Sequence, residues 1–280
     1  MRILLTNDDG IHAPGLAAME SALRRLGDVS VIAPTCEQSG VAHSITFLTP
    51  LLARKVFVND KHWGWTVDGS PADCVKLGIS AILPEPPDLV VSGMNSGLNA
   101  GINILYSGTV GAAVEGAFYG ITSIAVSLQY DEKGSFQQAA DLAVGVIDKI
   151  LKQKDSSGKL YNVNIPLKAL QTDSPEVQIV PMDAAQYWES FEQRTDPMGR
   201  PYYWLAGRPN PRQPKVAKSE QVTDLNALSR GCITVTPLNY DVTDWHRLQE
   251  MTDWDLTPQV DHASLEREHT GPQFRTSWHS

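Results

Sequence analysis

Long apolar runs are missing from this 280-residue chain, and so are C-x-x-C pairs, an excess of basic residues and a G-x-G-x-x-G turn after the first strand. Each absence removes a class of function. The three cysteines, Cys36, Cys74 and Cys232, lie far apart, which argues against a disulfide framework or a structural zinc site and predicts buried thiols in a reducing compartment. No apolar stretch approaches the roughly 20 residues that span a bilayer. Met1-Arg2-Ile3-Leu4-Leu5 runs into acidic residues within a few positions and lacks a secretory signal's apolar core and cleavage site. The expectation is a cytoplasmic protein with no membrane partner. A formal charge of -9 and a pI near 5.2 speak against long nucleic acids, whose phosphates require a concentrated basic surface. A small anionic substrate stays open if a bound cation reverses the local sign. The missing glycine fingerprint, with an acidic pair in its place, disfavours a nicotinamide dinucleotide.

What is present is the composition of a packed protein, 42% hydrophobic and 20% charged, far from the signature of disorder. Ile3 to Thr6 reads as a strand, Pro14 to Leu26 as a helix with Leu16, Met19, Leu23 and Leu26 at helical spacing, and Val29 to Ala33 as a second strand. Pro34 to Pro50 is a long loop, and loops of that length are usually functional. Leu51 to Val58 and Gly64 to Val67 predict a hairpin. Ser70, Pro71 and Asp73 then mark a helix start, as cap, first helical residue and first-turn acid, with the helix running to Leu83. Asp88 to Ser92 is a strand, Thr109 to Tyr119 a helix, Ile121 to Leu128 a strand and Phe136 to Leu151 a helix. That alternation predicts an α/β fold, a parallel sheet with helices on both faces. After Lys152 prolines multiply, and Arg200 to Leu205 and Gly231 to Thr236 are β-like pieces of an appended β-rich extension. The expected division is a catalytic core over 1–151, its continuation with the extension over 152–257, and a flexible tail over 258–280.

In open α/β sheets ligands bind beyond the carboxyl ends of the strands, which directs attention to four segments. Asp8 and Asp9 follow the first strand between Asn7 and Gly10. Two adjacent carboxylates repel unless a proton or cation sits between them, and hard oxygen ligands suit magnesium or manganese. Asp-Asp-Gly is equally a common turn composition. Ser39-Gly40 follows the second strand, and a serine before glycine is most often just a turn. Asn95 and Asn99 stand among glycines after the strand ending at Ser92, where tightly folded backbone suits an anion or a cation. Ser107, Gly108 and Thr109 enter a helix whose free N–H groups and dipole suit a phosphate, although Ser107 or Thr109 as a simple cap explains them too.

Five ordered motifs resemble the SurE family, the stationary-phase survival proteins known as 5'-nucleotidases and phosphatases. They are Ile3-Leu4-Leu5-Thr6-Asn7-Asp8-Asp9-Gly10, Ala33-Pro34 through Ser39-Gly40, Gly69-Ser70-Pro71-Ala72-Asp73-Cys74-Val75, Ser92 to Gly97, and Tyr106-Ser107-Gly108-Thr109-Val110-Gly111-Ala112-Ala113. Weaker similarity continues to about Thr243, with Ser70 where threonine is more usual and no counterpart for the tail. The resemblance implies a Rossmann-like core and one Mg2+ or Mn2+ per subunit on residues matching Asp8, Asp9, Ser39 and Asn95. It also implies a C-terminal extension exchanged between subunits of a homodimer or homotetramer. The implied reaction is hydrolysis of nucleoside 5'- and 3'-monophosphates by attack of water at a cation that binds a phosphoryl oxygen.

Asp8 and Asp9 are then the catalytic acids, with Asn95, Asn99, Ser107, Gly108 and Thr109 holding the phosphate. An aspartyl phosphate on Asp8 is the covalent alternative, disfavoured because the D-x-D spacing of phosphatases that use it is absent. His12 and His43 lie near these motifs and are read as surface or packing residues. Trp188, Tyr202, Tyr203, Trp204, Trp245 and Trp254 are read chiefly as packing residues of the extension, with a nucleobase pocket or an interface as the other readings. A non-catalytic nucleotide-binding or assembly protein is the rival from another class.

Overall fold

Ile3, Leu4 and Leu5 are all fully buried, yet successive side chains of a strand point to opposite faces, so both faces of the first strand must be covered. In the computed structural model, which describes residues 1–130, 132, 135–153, 158–184, 189–209 and 222–258, they are. Strand β1 (Arg2–Thr6) leads through helix α1 (Pro14–Leu23) to β2 (Asp28–Pro34), and β3 (Ala53–Val58) and β4 (Lys61–Val67) form a hairpin. Helix α2 (Pro71–Leu77), β5 (Leu89–Ser96), α3 (Gly108–Phe118), β6 (Thr122–Leu128), α4 (Phe136–Leu151) and β7 (Leu160–Ile165) continue the alternation. Then come β8 (Val177–Ile179), β9 (Glu189–Thr195), β10 (Pro201–Pro209), α5 (Asp224–Arg230), β11 (Ile233–Leu238) and α6 (Trp245–Glu250).

One sheet has the order β3-β4-β2-β1-β5-β6-β7-β11-β8. The run from β4 to β7 is parallel, while β3 and β11 pair antiparallel with their neighbours β4 and β7. The sheet is therefore mixed and mostly parallel, broader than a purely parallel core. Ile3 and Leu5 join Leu16, Met19 and Leu23 of α1 and Ala139, Ala143 and Ile147 of α4 in one core. Leu4, on the opposite face, packs with Ile32, Cys74, Val75 and Ala112 under α2 and α3. Each such buried aliphatic side chain contributes about 1.5–3 kcal/mol, and residues apolar on both faces explain why these strands read as unbroken runs.

Several sequence expectations change in detail. The helix begun by Ser70 stops at Leu77 and passes into a single wider-wound turn over Gly78–Ile82, not a continuous helix to Leu83. Strand β5 does not end at Ser92: after an irregularity it resumes, pairing Asn95 with Ser127 and Ser96 with Leu128 of β6. The composition change after Lys152 is no break in the sheet, because β7 and β11 belong to it. Among the described residues only β9 and β10 form a separate two-stranded sheet. Contacts divide the chain at Tyr240, with residues from Asp241 onward a second unit whose α6 is capped by Asp244, accepting from Arg247 N at 2.9 Å. The expected tail over 258–280 lies outside the described residues beyond Pro258, as does Trp188.

Candidate active site

Beyond the end of β1 the chain turns sharply. Asn7 is buried and its Nδ2 donates to Gly10 O at 3.0 Å, while Gly10 takes a positive φ of 98° that a side chain would resist. Ile11 N donates to Pro34 O at 2.8 Å and Gln38 N to Asp8 O at 2.7 Å, stitching this turn to the loop that follows β2. Strand order reverses here, since β1 is flanked by β2 on one side and β5 on the other. That is the switch point where α/β sheets open a crevice.

The two acids leave the turn toward different elements. Asp8, only 4% exposed, accepts at Oδ1 from Thr109 Oγ1 at the start of α3. Asp9, half-buried, accepts at Oδ2 from Ser96 N at 3.1 Å at the end of β5. Burial pushes the Asp8 carboxyl above its ordinary value, partly offset by the Thr109 hydroxyl and by the Asp8 and Thr109 amides, with Glu37 adding a further upward push. Asp9 is pushed up to about 6, first by burial and then by the charge of Asp8, with Glu37 contributing. Among the described residues no Lys, Arg or His forms an ion pair with either carboxylate. An unneutralised acid pair at a crevice is the electrostatic condition that favours a cation.

The neutral residues expected in the site fall into two groups. A Cβ on Gly108 would come within 3.1 Å of Asp8 Cβ and 3.2 Å of Gln38 O, so this glycine lets α3 start directly against the acid turn. Ser107 caps α3, accepting from Val110 N at 3.1 Å, which leaves the Gly108 and Thr109 amides without partners inside the helix. Ser39 is exposed and gives its hydroxyl proton to Glu37 Oε1 at 2.6 Å. Asn95 donates from Nδ2 to Gly97 O at 2.8 Å. Both bonds consume donors and leave the Ser39 and Asn95 side-chain oxygens as acceptors. Asn99 differs: it is buried, its Nδ2 donates to Ser127 Oγ at 2.9 Å, and its carbonyl receives Asn162 and Asn164 Nδ2 at 2.7 and 2.9 Å.

Two residues of the site escaped the sequence reading. Glu37 is a third carboxylate within electrostatic reach of both acids, and Ser96 acts through its backbone, which no residue type announces. Cys36 is exposed, against the expectation of buried thiols that Cys74 and Cys232 meet. His12 is exposed beside Asp9, whereas His43 packs its ring on Phe118 at 5.1 Å between centroids. A 370 Å³ cavity is lined by Asp9, His12, Thr35, Glu37, Ser96 and Phe136, and one of 400 Å³ adjoins it across Thr35.

The donor set decides which ion would suit. Among the described residues no three His, Cys, Asp or Glu cluster as metal ligands do, so soft or histidine-rich coordination is not on offer. Two carboxylates with neutral hydroxyl and amide oxygens match a hard divalent ion that keeps much of its water. The residues fit such a group.

A profile for "Survival protein SurE" matches residues 3–190. The chain belongs to the SurE family. A 5'-nucleotidase SurE of Rhodopirellula baltica is 52% identical over 259 residues, taking in 92% of this chain and all of that protein. The 5'-nucleotidase SurE of Heliobacterium modesticaldum is 41% identical over 260 residues, 91% of this chain and 92% of that one. The crystal structure of a SurE protein from Aquifex aeolicus superposes with a TM-score of 0.75 at 38% identity, covering 90% of this chain and 98% of that one. SurE similarity thus extends past Thr243, where the recognisable motifs run out.

Proposed function

We propose that this SurE-family chain is a divalent-metal-dependent phosphomonoesterase that hydrolyses nucleoside 5'- and 3'-monophosphates to nucleoside and phosphate. The observation that carries the reading is the desolvated, unneutralised pair Asp8 and Asp9 at the switch point of a SurE fold whose relatives bear the name 5'-nucleotidase. Asp8, Asp9, Ser39 and Asn95 would hold one Mg2+ or Mn2+ with their oxygens. When bound, the ion supplies positive charge to the phosphoryl oxygens and acidity to water.

The chain's own groups do the remainder. Asp9 or Asp8 would take the proton of the attacking water, with Asp9 held in place by the Ser96 amide at Oδ2. The Gly108 and Thr109 amides, with the Ser107 hydroxyl, receive phosphoryl oxygens at the positive end of α3. An amide nitrogen carries two protons, so Asn99 can keep its bond to Ser127 and offer the second to the phosphate, and Asn95 would serve the same oxygens. Fixed donors of this kind are the main form of catalysis open to phosphoryl transfer.

Self-association through the β9–β10 hairpin belongs to the same proposal. So does a cytoplasmic location, which suits the buried thiols Cys74 and Cys232. Among the described residues no helix is long and apolar enough to cross a membrane.

The experiment is phosphate release from AMP by chelator-treated protein resupplied with Mn2+ or Mg2+, alongside Asp8→Asn. Release should depend on the ion and fall about 100-fold or more in the variant. Folded protein that binds AMP but releases nothing with any divalent ion would make it a binding module instead. A phosphorylated Asp8 peptide after acid quench would replace water by the covalent route.

A further inference from the structure

Helix α3 carries a second line of contacts along the face defined by positions 108, 111 and 115, which helical periodicity places together. A Cβ at Gly108 would lie 3.1 Å from Val41 Cγ2, and one at Gly111 would lie 2.5 Å from Ala42 O and 2.9 Å from His43 Cα. The loop after β2 therefore runs flat against the helix. One turn further, Glu115, only 2% exposed, accepts from His43 Nε2 at 2.8 Å, and its other oxygen takes Lys76 Nζ from α2. Ala42 N donates to Tyr106 O at 3.0 Å beside His43, and at the opposite end of the stretch Gln38 N donates to Asp8 O at 2.7 Å.

Ser39 lies inside this pinned stretch, between Gln38 and the residues held on α3. It is exposed, and the partner of its hydroxyl is Glu37 of the same loop. Ala42 has φ +54°, a conformation that a non-glycine residue keeps only where its surroundings over-determine it. A buried carboxylate bridging a histidine and a lysine is also a poor device for stability alone, since apolar packing often does as well.

We propose that His43 and Glu115 are positioning residues: by clamping the loop to α3 they hold the Ser39 oxygen in place for the cation, with Lys76 fixing Glu115 as the acceptor. The proposal rests on the cation reading of the cleft. It assigns a role in metal affinity to residues that touch neither ion nor substrate.

Mn2+ binding to the full chain, measured by isothermal titration calorimetry, tests the clamp without turnover. His43→Asn, which leaves the Glu115–Lys76 pair intact, should raise the Mn2+ Kd about tenfold, as loss of an outer-shell partner does. Glu115→Gln, which keeps the shape of the side chain, should do the same. In a Ser39→Ala background the His43 change should add less than about twofold, because the clamp acts only through that oxygen. With AMP, the Mn2+ concentration for half-activity should rise about tenfold while kcat at saturating Mn2+ stays within about threefold.

Unchanged Mn2+ affinity in both folded single variants, or effects that multiply in the double variant, would overturn the clamp. Asp8→Asn separates the two levels. If it binds Mn2+ as tightly as the unaltered chain, the cation site itself is refuted and the clamp loses its purpose.

Discussion

At the scale of single residues, the cost of the site is concentrated in Asp8 and Asp9. Raising Asp9 from 3.8 to about 6 means that the folded state binds more protons than the unfolded chain between those values. Stability of the ion-free protein therefore falls as pH rises through that window, and the full penalty is present above it. Half-exposure screens the effect, so about 1–2 kcal/mol is the appropriate scale. Groups held low, such as Asp68 beside Arg54 and Thr35, act in the opposite sense and at lower pH, so the interval from about 5 to 6.5 is where the raised Asp9 is read, against a variant that lacks it. Melting curves in chelator should show Tm declining over that interval, and Asp9→Asn should flatten the decline and raise Tm at pH 7.5. The same variant should lose the Mn2+-induced rise in Tm, which in the unaltered chain should be larger at pH 7.5 than at pH 5. Equal slopes in the two proteins would show that Asp9 is not the titrating group.

Among elements, α2 shows how cap chemistry serves the site from a distance. Ser70 accepts from Asp73 N at 3.0 Å and donates to Ser44 O at 2.6 Å, while Asp73 accepts from Thr46 N and Oγ1 at 2.8 and 2.6 Å. The helix start and the far end of the loop bearing Ser39 are thus one structure. Ser70→Ala should cost about 1–2 kcal/mol in urea unfolding, and it should speed amide exchange at residues 44–46 as well as at 73–74. Loss of stability without faster exchange in the loop would separate the two roles. This start was legible in the sequence because capping is local: Ser70, Pro71 and Asp73 are neighbours. The helix end was not, since the wider turn over Gly78–Ile82 packs Gly78 against Ile32 and Leu4, residues far away in the chain. The acid turn was legible for the same local reason. Asn95 as a strand residue, and Asn99 tied to Asn162 and Asn164, depend on partners more than 30 and 60 residues distant, which residue types alone do not reveal.

For the molecule as a whole, the aromatic residues described on the β9–β10 hairpin are exposed. Phe191, Tyr203, Trp204 and Leu205 on the β9–β10 hairpin are each more than half exposed, so the reading of Tyr203 and Trp204 as packing within the subunit is corrected. Apolar side chains displayed on a hairpin mark an interaction surface, and self-association is the proposed use. Trp204→Ser with Leu205→Asp should shift the sedimentation coefficient to that of a smaller species. An unchanged coefficient would place the subunit contact elsewhere. Near its far edge the principal sheet is completed by a strand from late in the chain. Because β11 runs antiparallel beside β7 and carries β8 on its outer side, a fragment ending at Leu151 would leave the ladder of β6 open along its whole length, inviting other chains to add to it. The candidate cleft is therefore not a detachable module: β7, β8 and β11, which follow the segments bearing its acids, must be synthesised before the sheet beneath it is sealed.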